Sequence, residues 1–217
     1  GNLHVVWIKL ANNNNDVYYQ KIDGSGNPLV AAKKINSAID AQWPDLAVDQ
    51  SGRVHVVWSG WVSGASYNIK YARLTKNGVQ DIAEKTVVSA ANAQNFPALA
   101  VDVLGNLHLA WDDFRVLAQA QDIYYKKLDS SGNQLIADKQ ISTSTATDAK
   151  PDVTTTFNTV HVFWERPSGN TSIYYSALNP STGIALPGKN QQQLVNTPTQ
   201  SQPVYVRAAA DALNRVA

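Results

Sequence analysis

Gly1-Asn2-Leu3-His4-Val5-Val6-Trp7 returns three times along the chain: as Gly52-Arg53-Val54-His55-Val56-Val57-Trp58, as Gly105-Asn106-Leu107-His108-Leu109-Ala110-Trp111, and as Asn158-Thr159-Val160-His161-Val162-Phe163-Trp164. The histidines are 51, 53 and 53 residues apart, so the chain is a tandem array with a period of about 52. A fixed period of this size marks stacked supersecondary units. The repeated stretch is apolar on both faces, as a strand packed between two sheets must be.

Outward from this stretch, each period reads as four short strands. Before it comes Pro44-Asp45-Leu46-Ala47-Val48-Asp49, echoed by Pro97 to Asp102 and more loosely by Pro151 to Thr156. Proline is allowed at a first strand position, where its missing donor is not needed by the ladder. The two strands are joined by tight turns such as Gln50-Ser51-Gly52, with glycine free to take positive φ. After it come strands rich in β-branched and aromatic residues, Asp16 to Asp23, Asn68 to Thr75, Asp122 to Asp129 and Ser172 to Asn179. Turns such as Gly24-Ser25-Gly26-Asn27 then lead to weaker fourth strands at Leu29 to Ile35, Val79 to Val88, Gln134 to Ile141 and Gln191 to Val195.

Tandem four-stranded antiparallel units of this length predict an all-β fold, a β-propeller of four blades. We read residues 1–217 as one domain: blade 1 from 1–42 plus 203–209, blade 2 from 43–95, blade 3 from 96–149 and blade 4 from 150–202. Blade 1 begins at its second strand. Gln202-Pro203-Val204-Tyr205-Val206-Arg207 resembles the absent first strand, and Asp211-Ala212-Leu213-Asn214-Arg215-Val216 echoes Asp49 to Val54. The expectation is a ring closed by the C-terminal strand joining the N-terminal blade, which removes open edges. The alternative is half or a fragment of a larger propeller.

Composition narrows the function. Charged residues are only 16% and the formal net charge is +1, with no basic cluster, which disfavours nucleic acid. No run approaches the eighteen or so apolar residues of a membrane span. With no cysteine there is no disulfide and no thiolate metal site. The chain opens inside a repeat and carries no methionine, which predicts a processed chain or a piece of a longer protein.

Repetition also separates scaffold from site. All four histidines, His4, His55, His108 and His161, share one repeat position. On the second strand, facing rings would stand roughly 15–20 Å apart, whereas zinc needs nitrogens at about 2 Å. They are therefore expected to hydrogen-bond within their blades, and no metal or other cofactor is expected. Trp7, Trp58, Trp111 and Trp164, with the tyrosine pairs of the third strands, read as packing residues. Trp43 and Trp61 break the pattern and are expected in loops on one face of the propeller. The candidate ligand-binding residues are Trp43, Trp61, Tyr67, Asp113, Phe114, Arg115, Glu165 and Arg166. Aromatic rings among Asn, Asp and Arg suit a sugar, which has an apolar face and a rim of hydroxyls.

Asp112, Asp113 and Glu165 stand at comparable positions on adjacent blades, and glycoside hydrolysis needs two such groups. Carboxylates after a strand also cap turns, and that reading is preferred here. No nucleophile elbow, phosphate loop or His-Glu-x-x-His segment occurs.

At residues 44 to 58 and 122 to 129 the chain resembles the tandem propeller repeats of bacterial and archaeal secreted or cell-surface proteins, often grouped loosely with sialidase-like propellers. The resemblance covers nearly the whole chain and speaks for fold, not activity. The sialidase pattern Ser-x-Asp-x-Gly-x-x-Trp is not matched, because Asp49, Gly52 and Trp58 are spaced differently. No triad is evident among Arg53, Arg73, Arg115, Arg166, Arg207 and Arg215, so no catalytic residue is carried over. The resemblance implies an extracellular or cell-surface module. The expected function is non-catalytic binding of a glycan or a surface protein, lectin-like in the first case. The alternatives are a structural or self-assembling propeller and, ranked last, a glycoside hydrolase.

Overall fold

A computed structural model describes residues 1–11, 13–37, 40–64, 66–116, 120–168, 170–196 and 206–209, with the side chains of 168, 170, 171 and 196 left aside. It is all-β. Blade 1 holds β1 (Leu3–Ala11), β2 (Asn14–Ile22) and β3 (Pro28–Lys34), in that order. Blade 2 holds β4 (Ala41–Val48), β5 (Val54–Ser63), β6 (Ser66–Leu74) and β7 (Gln80–Val88). Blade 3 holds β8 (Gln94–Val101), β9 (Leu107–Asp113), β10 (Asp122–Leu128) and β11 (Gln134–Gln140). Blade 4 holds β12 (Ala149–Thr156), β13 (Thr159–Ser168), β14 (Asn170–Leu178) and β15 (Gln192–Asn196). Every pairing is antiparallel, and β4, β8 and β12 lie at the inner edge, each touching the next. This is the expected propeller repeat, with blade 1 three-stranded among the described residues.

The strands run further than the sequence pattern placed them. Trp43 lies within β4 and Trp61 within β5, not in loops, because β4 pairs with β5 from Ala41 onward and the β5–β6 hairpin stays paired out to Ser63 and Ser66. Likewise Asp113, Glu165 and Arg166 lie on the ends of β9 and β13.

Each blade is clasped by its histidine. Nδ1 meets a tyrosine hydroxyl on the neighbouring strand: His4 to Tyr19 at 2.8 Å, His55 to Tyr71 at 2.9 Å, His108 to Tyr125 at 2.8 Å and His161 to Tyr175 at 2.7 Å. Nε2 meets Asp49, Asp102 or Thr156 at the end of the inner strand in blades 2, 3 and 4. Burial lowers the pKa of all four rings. A neutral ring beside an ionised Asp102 carries its proton on Nε2, so in blade 3 Tyr125 donates to Nδ1. These are structural histidines.

Three junctions between blades are built alike. Val54, Val56 and Trp58 pack on Val17, Tyr19 and Ile35 of blade 1. Leu107, Leu109 and Trp111 pack on Ile69, Tyr71 and Val88. Val160, Val162 and Trp164 pack on Ile123, Tyr125 and Ile141. A cationic side chain of the earlier blade reaches a carbonyl of the next in each case: Lys21 to Lys76, Arg73 to Ser130 and Lys127 to Pro180. The apolar stripes supply the adhesion, about 25 cal/mol for each Å² withdrawn from water.

Candidate ligand site at the axial mouth

Where each inner strand begins, the chain makes the same departure from regular geometry. Trp43, Phe96 and Lys150 each precede a proline, yet have φ of +46°, +46° and +49°. The ladder slips at the same points, between Gln42 and Asp45, Asn95 and Ala98, and Ala149 and Asp152. A bulge with one left-handed residue turns that side chain out of the alternation of its strand. Such a conformation costs a non-glycine residue on the order of 1–3 kcal/mol, and it concentrates at functional positions.

The three turned residues converge on one pocket. Trp43, Pro44 and Asp45 of blade 2, Phe96 and Pro97 of blade 3, Lys150 and Pro151 of blade 4, and Arg207 enclose about 130 Å³. The Trp43 and Phe96 rings stack at 4.1 Å between centroids. Tyr67 extends the aromatic ledge, 6.0 Å from Trp43, and its hydroxyl donates to Asp40 at 3.0 Å. Asp40 gathers this corner, accepting also from Asn15 and Gln42 and taking the Trp61 N–H on its carbonyl.

Asp45 is the carboxylate among the lining residues. Its Oδ2 accepts the Leu99 N–H of the next blade at 2.7 Å. Burial pushes its pKa up to about 6, assisted by the Asp152 charge and opposed by the hydrogen bonds and by Arg207. Asp152, at the same place on β12, is likewise raised by burial, while the Ala208 N–H and the Arg207 charge pull it down. The folded carboxyls thus bind protons that the unfolded chain releases above pH ~4. Their contribution to stability falls as pH rises from about 4 to about 6. Asp45→Asn is therefore expected to flatten the fall in melting temperature between pH 4.5 and 7, measured by calorimetry against the parent.

Of the residues singled out from sequence, Trp43 and Tyr67 share the aromatic ledge, and Trp61 reaches the same corner through its main-chain N–H on the Asp40 carbonyl and its pairing with Tyr67. Asp113, Phe114 and Arg115 form a separate group on blade 3. There Asp113 accepts from the Trp111 indole at 2.7 Å and from Arg115, whose guanidinium also lies 4.1 Å from the Tyr124 centroid. Phe114 N–H bonds the Ala93 carbonyl at 3.0 Å. On blade 4, Arg166 grips both oxygens of Asp148 and lies over Tyr174 at 3.8 Å. Glu165 alone of these two groups reaches the mouth, through Lys150, whose Nζ is 2.6 Å from Oε1. Asp112 lies fully buried behind the same lysine; burial raises its pKa well above the usual range, against a hydrogen bond from the Lys150 N–H.

Sequence reasoning missed Asp45, Phe96, Lys150 and Arg207 as site residues. The signal was present in the recurrence of an X-Pro pair at Trp43-Pro44, Phe96-Pro97 and Lys150-Pro151.

No protein-family model and no curated protein matches the chain. Solved structures do. An α-L-arabinofuranosidase from Lactobacillus brevis superposes with a TM-score of 0.61 at 6% identity, covering 97% of this chain and 80% of that one. An endo-arabinase from Bacteroides thetaiotaomicron gives 0.55 at 12% identity, covering 100% and 88%. The GH93 α-L-arabinofuranosidase of Fusarium graminearum, solved with arabinobiose, gives 0.61 at 16% identity, covering 90% and 63%. At these identities the likeness is one of fold: the chain shares the β-propeller architecture of glycoside hydrolases.

Proposed function

We propose that the chain is a non-catalytic glycan-binding propeller that takes a sugar at the axial mouth. The observation that carries this reading is the Trp43–Phe96 stack beside Asp45, Lys150 and Arg207 in a single pocket. Stacked aromatic carbon offers a platform to the C–H face of a sugar ring, and charged groups at its edge bond the hydroxyls. A volume of about 130 Å³ fits part of one ring and not a chain, so the ligand is bound by an end or a branch. The fold neighbours, an endo-1,4-β-xylanase from Bacteroides thetaiotaomicron among them, act on arabinose- and xylose-containing glycans, as their names state, which makes those the first ligands to try. An extracellular or cell-surface setting goes with this reading. No described helix is long and apolar enough to cross a membrane.

One observation favours hydrolysis as the second reading. Asp45 and Asp152 occupy equivalent positions on two inner strands, both have raised pKa values, and the Asp152 charge acts on Asp45. Retaining and inverting enzymes alike need a carboxyl pair, one member of which stays protonated to act as the acid. Against it, Asp45 is the one carboxylate lining the mouth among the described residues, and the Asp152 carboxylate is occupied by the N–H groups of Ala208 and Val153.

Titration calorimetry with arabino- and xylo-oligosaccharides tests both readings, with reducing-sugar release assayed in parallel. Binding without release is expected, weakened at least tenfold by Trp43→Ala and by Phe96→Ala. Sugar release that Asp45→Asn abolishes would establish the hydrolase instead. Binding unaffected by both aromatic variants would remove the mouth from consideration.

A further inference from the structure

We propose that Val206–Ala209 belongs to the innermost strand of blade 1, so that this blade, and with it the axial mouth, is assembled from both ends of the chain. The inner edge of β1 has no partner among the described strands. The segment Val206–Ala209 touches the blades on either side of that vacancy. The Ala208 N–H donates to Asp152 of blade 4, the relation Leu99 N–H has to Asp45 one blade earlier. Arg207 lines the mouth with Trp43, Pro44 and Asp45 of blade 2, and its charge acts on both Asp45 and Asp152. Blade 1 is the blade that stands between those two on the side away from blade 3.

The hydrogen bond fixes the register. If Ala208 stands where Leu99 does, Arg207-Ala208-Ala209-Ala210-Asp211 aligns with Asp45-Leu46-Ala47-Val48-Asp49 and with Ala98-Leu99-Ala100-Val101-Asp102. This places Val206, not Pro203, at the position of Pro44 and Pro97; Pro203 itself lies outside the described residues. The aligned sequence ends on an aspartate at the repeat position of Asp49 and Asp102, which meet His55 and His108.

The seam between blades 4 and 1 shows what the added strand would close. Leu3 and Val5 are 57% and 39% exposed, whereas their counterparts Val54, Val56, Leu107, Leu109, Val160 and Val162 are fully buried. Across the seam, Ile173 and Tyr175 are half-buried where Ile69, Tyr71, Ile123 and Tyr125 are fully so. Gly26 has open space around it, whereas Gly78, Gly132 and Gly183 each sit on a tyrosine of the preceding blade. Both halves of a fourth junction exist and stand apart, and strand addition to β1 tethers them.

An engineered disulfide reads the register directly, because the chain has no cysteine of its own. Leu46 pairs with Val56, and Leu99 with Leu109, so Ala208 should pair with Val5. The Leu99 N–H points at Asp45 and away from β9, which makes this a non-hydrogen-bonded pair. Such pairs bring Cα atoms to about 4.5 Å, within disulfide reach. The double variant Val5→Cys/Ala208→Cys is expected to oxidise within single chains, seen as a faster monomer on a non-reducing gel. The shifted pair Val5→Cys/Ala209→Cys should bridge at least tenfold more slowly. In the unaltered chain, the His4 and Val6 amides, which face the inner edge, should exchange with deuterium at least 100-fold more slowly than free amides. A bridge formed only between chains would overturn the proposal in favour of a larger ring of several copies. Rapid exchange at His4 and Val6 would overturn it outright.

Discussion

Gly132→Ala is expected to lower stability by about 2–4 kcal/mol, through a positive φ and a blocked contact acting together. Gly132 closes the β10–β11 turn with φ of +73°, its N–H on the Asp129 carbonyl. A methyl group there would stand 2.7 Å from Cδ1 and Cε1 of Tyr71 and from Cε of Lys85. The lysine can swing away. The tyrosine cannot, being fully buried with its hydroxyl on His55. The methyl would therefore push blade 3 off blade 2. Gly26 makes the comparison: it occupies the same turn of blade 1 with φ of +87° and nothing near it. Gly26→Ala should cost only the backbone term, about 1 kcal/mol. Denaturant unfolding of the two variants side by side separates backbone strain from the junction. Equal losses would show that the Tyr71 contact yields.

Asp102→Ala is expected to cost about 3 kcal/mol, because several buried or turn-forming donors lose their acceptor at once. Oδ1 receives the N–H groups of Leu104 and Asn106, while Oδ2 receives the Asn106 amide and His108 Nε2. The His108 ring has no exposed surface on which to find water instead. Burial alone would raise the Asp102 pKa, but these hydrogen bonds outweigh it and hold the carboxyl well below the usual range. Its stabilisation is then present above pH ~4 and is lost as pH falls below it, the reverse of the Asp45 dependence. The parent should accordingly lose stability below pH 4 more steeply than Asp102→Ala does. Asp23 caps an analogous turn with no histidine on it, and Asp23→Ala should be the milder change. A parallel acid limb in parent and Asp102→Ala would assign the acid sensitivity elsewhere.

The sequence made the fold legible because a propeller writes its core in repeats. The His-x-x-Trp strand, the Asp-to-Gly turns and the Tyr-Tyr strands recur at one spacing, and the blades follow them in order. The site was less legible, since a repeated position reads as scaffold. That filter served well for the histidines, whose ring partners lie in their own blades. It failed at the mouth, where a repeated backbone feature carries unlike side chains: an indole, a phenyl ring and an ammonium group at Trp43, Phe96 and Lys150. Repetition there belongs to the bulge, and variety to what the bulge presents. Register is the other limit. Pro203 and Asp211 each echo earlier repeats but three positions out of step, and only the Ala208–Asp152 hydrogen bond chooses between them.

The histidine clasp bears on how such a chain can change over generations. The ring partners of His55, His108 and His161 come from the same fifty-odd residues as the histidine itself. A recombination event that duplicates or deletes one unit therefore leaves each of those imidazoles with its partners. What it disturbs is a seam of apolar stripes crossed by a few side chain-to-carbonyl hydrogen bonds, which accepts a neighbour presenting the same stripe of Val, Leu and Trp and a free carbonyl in its turn. Gene length and ring size can thus drift in whole units, while each inserted unit brings its own residue to the shared opening.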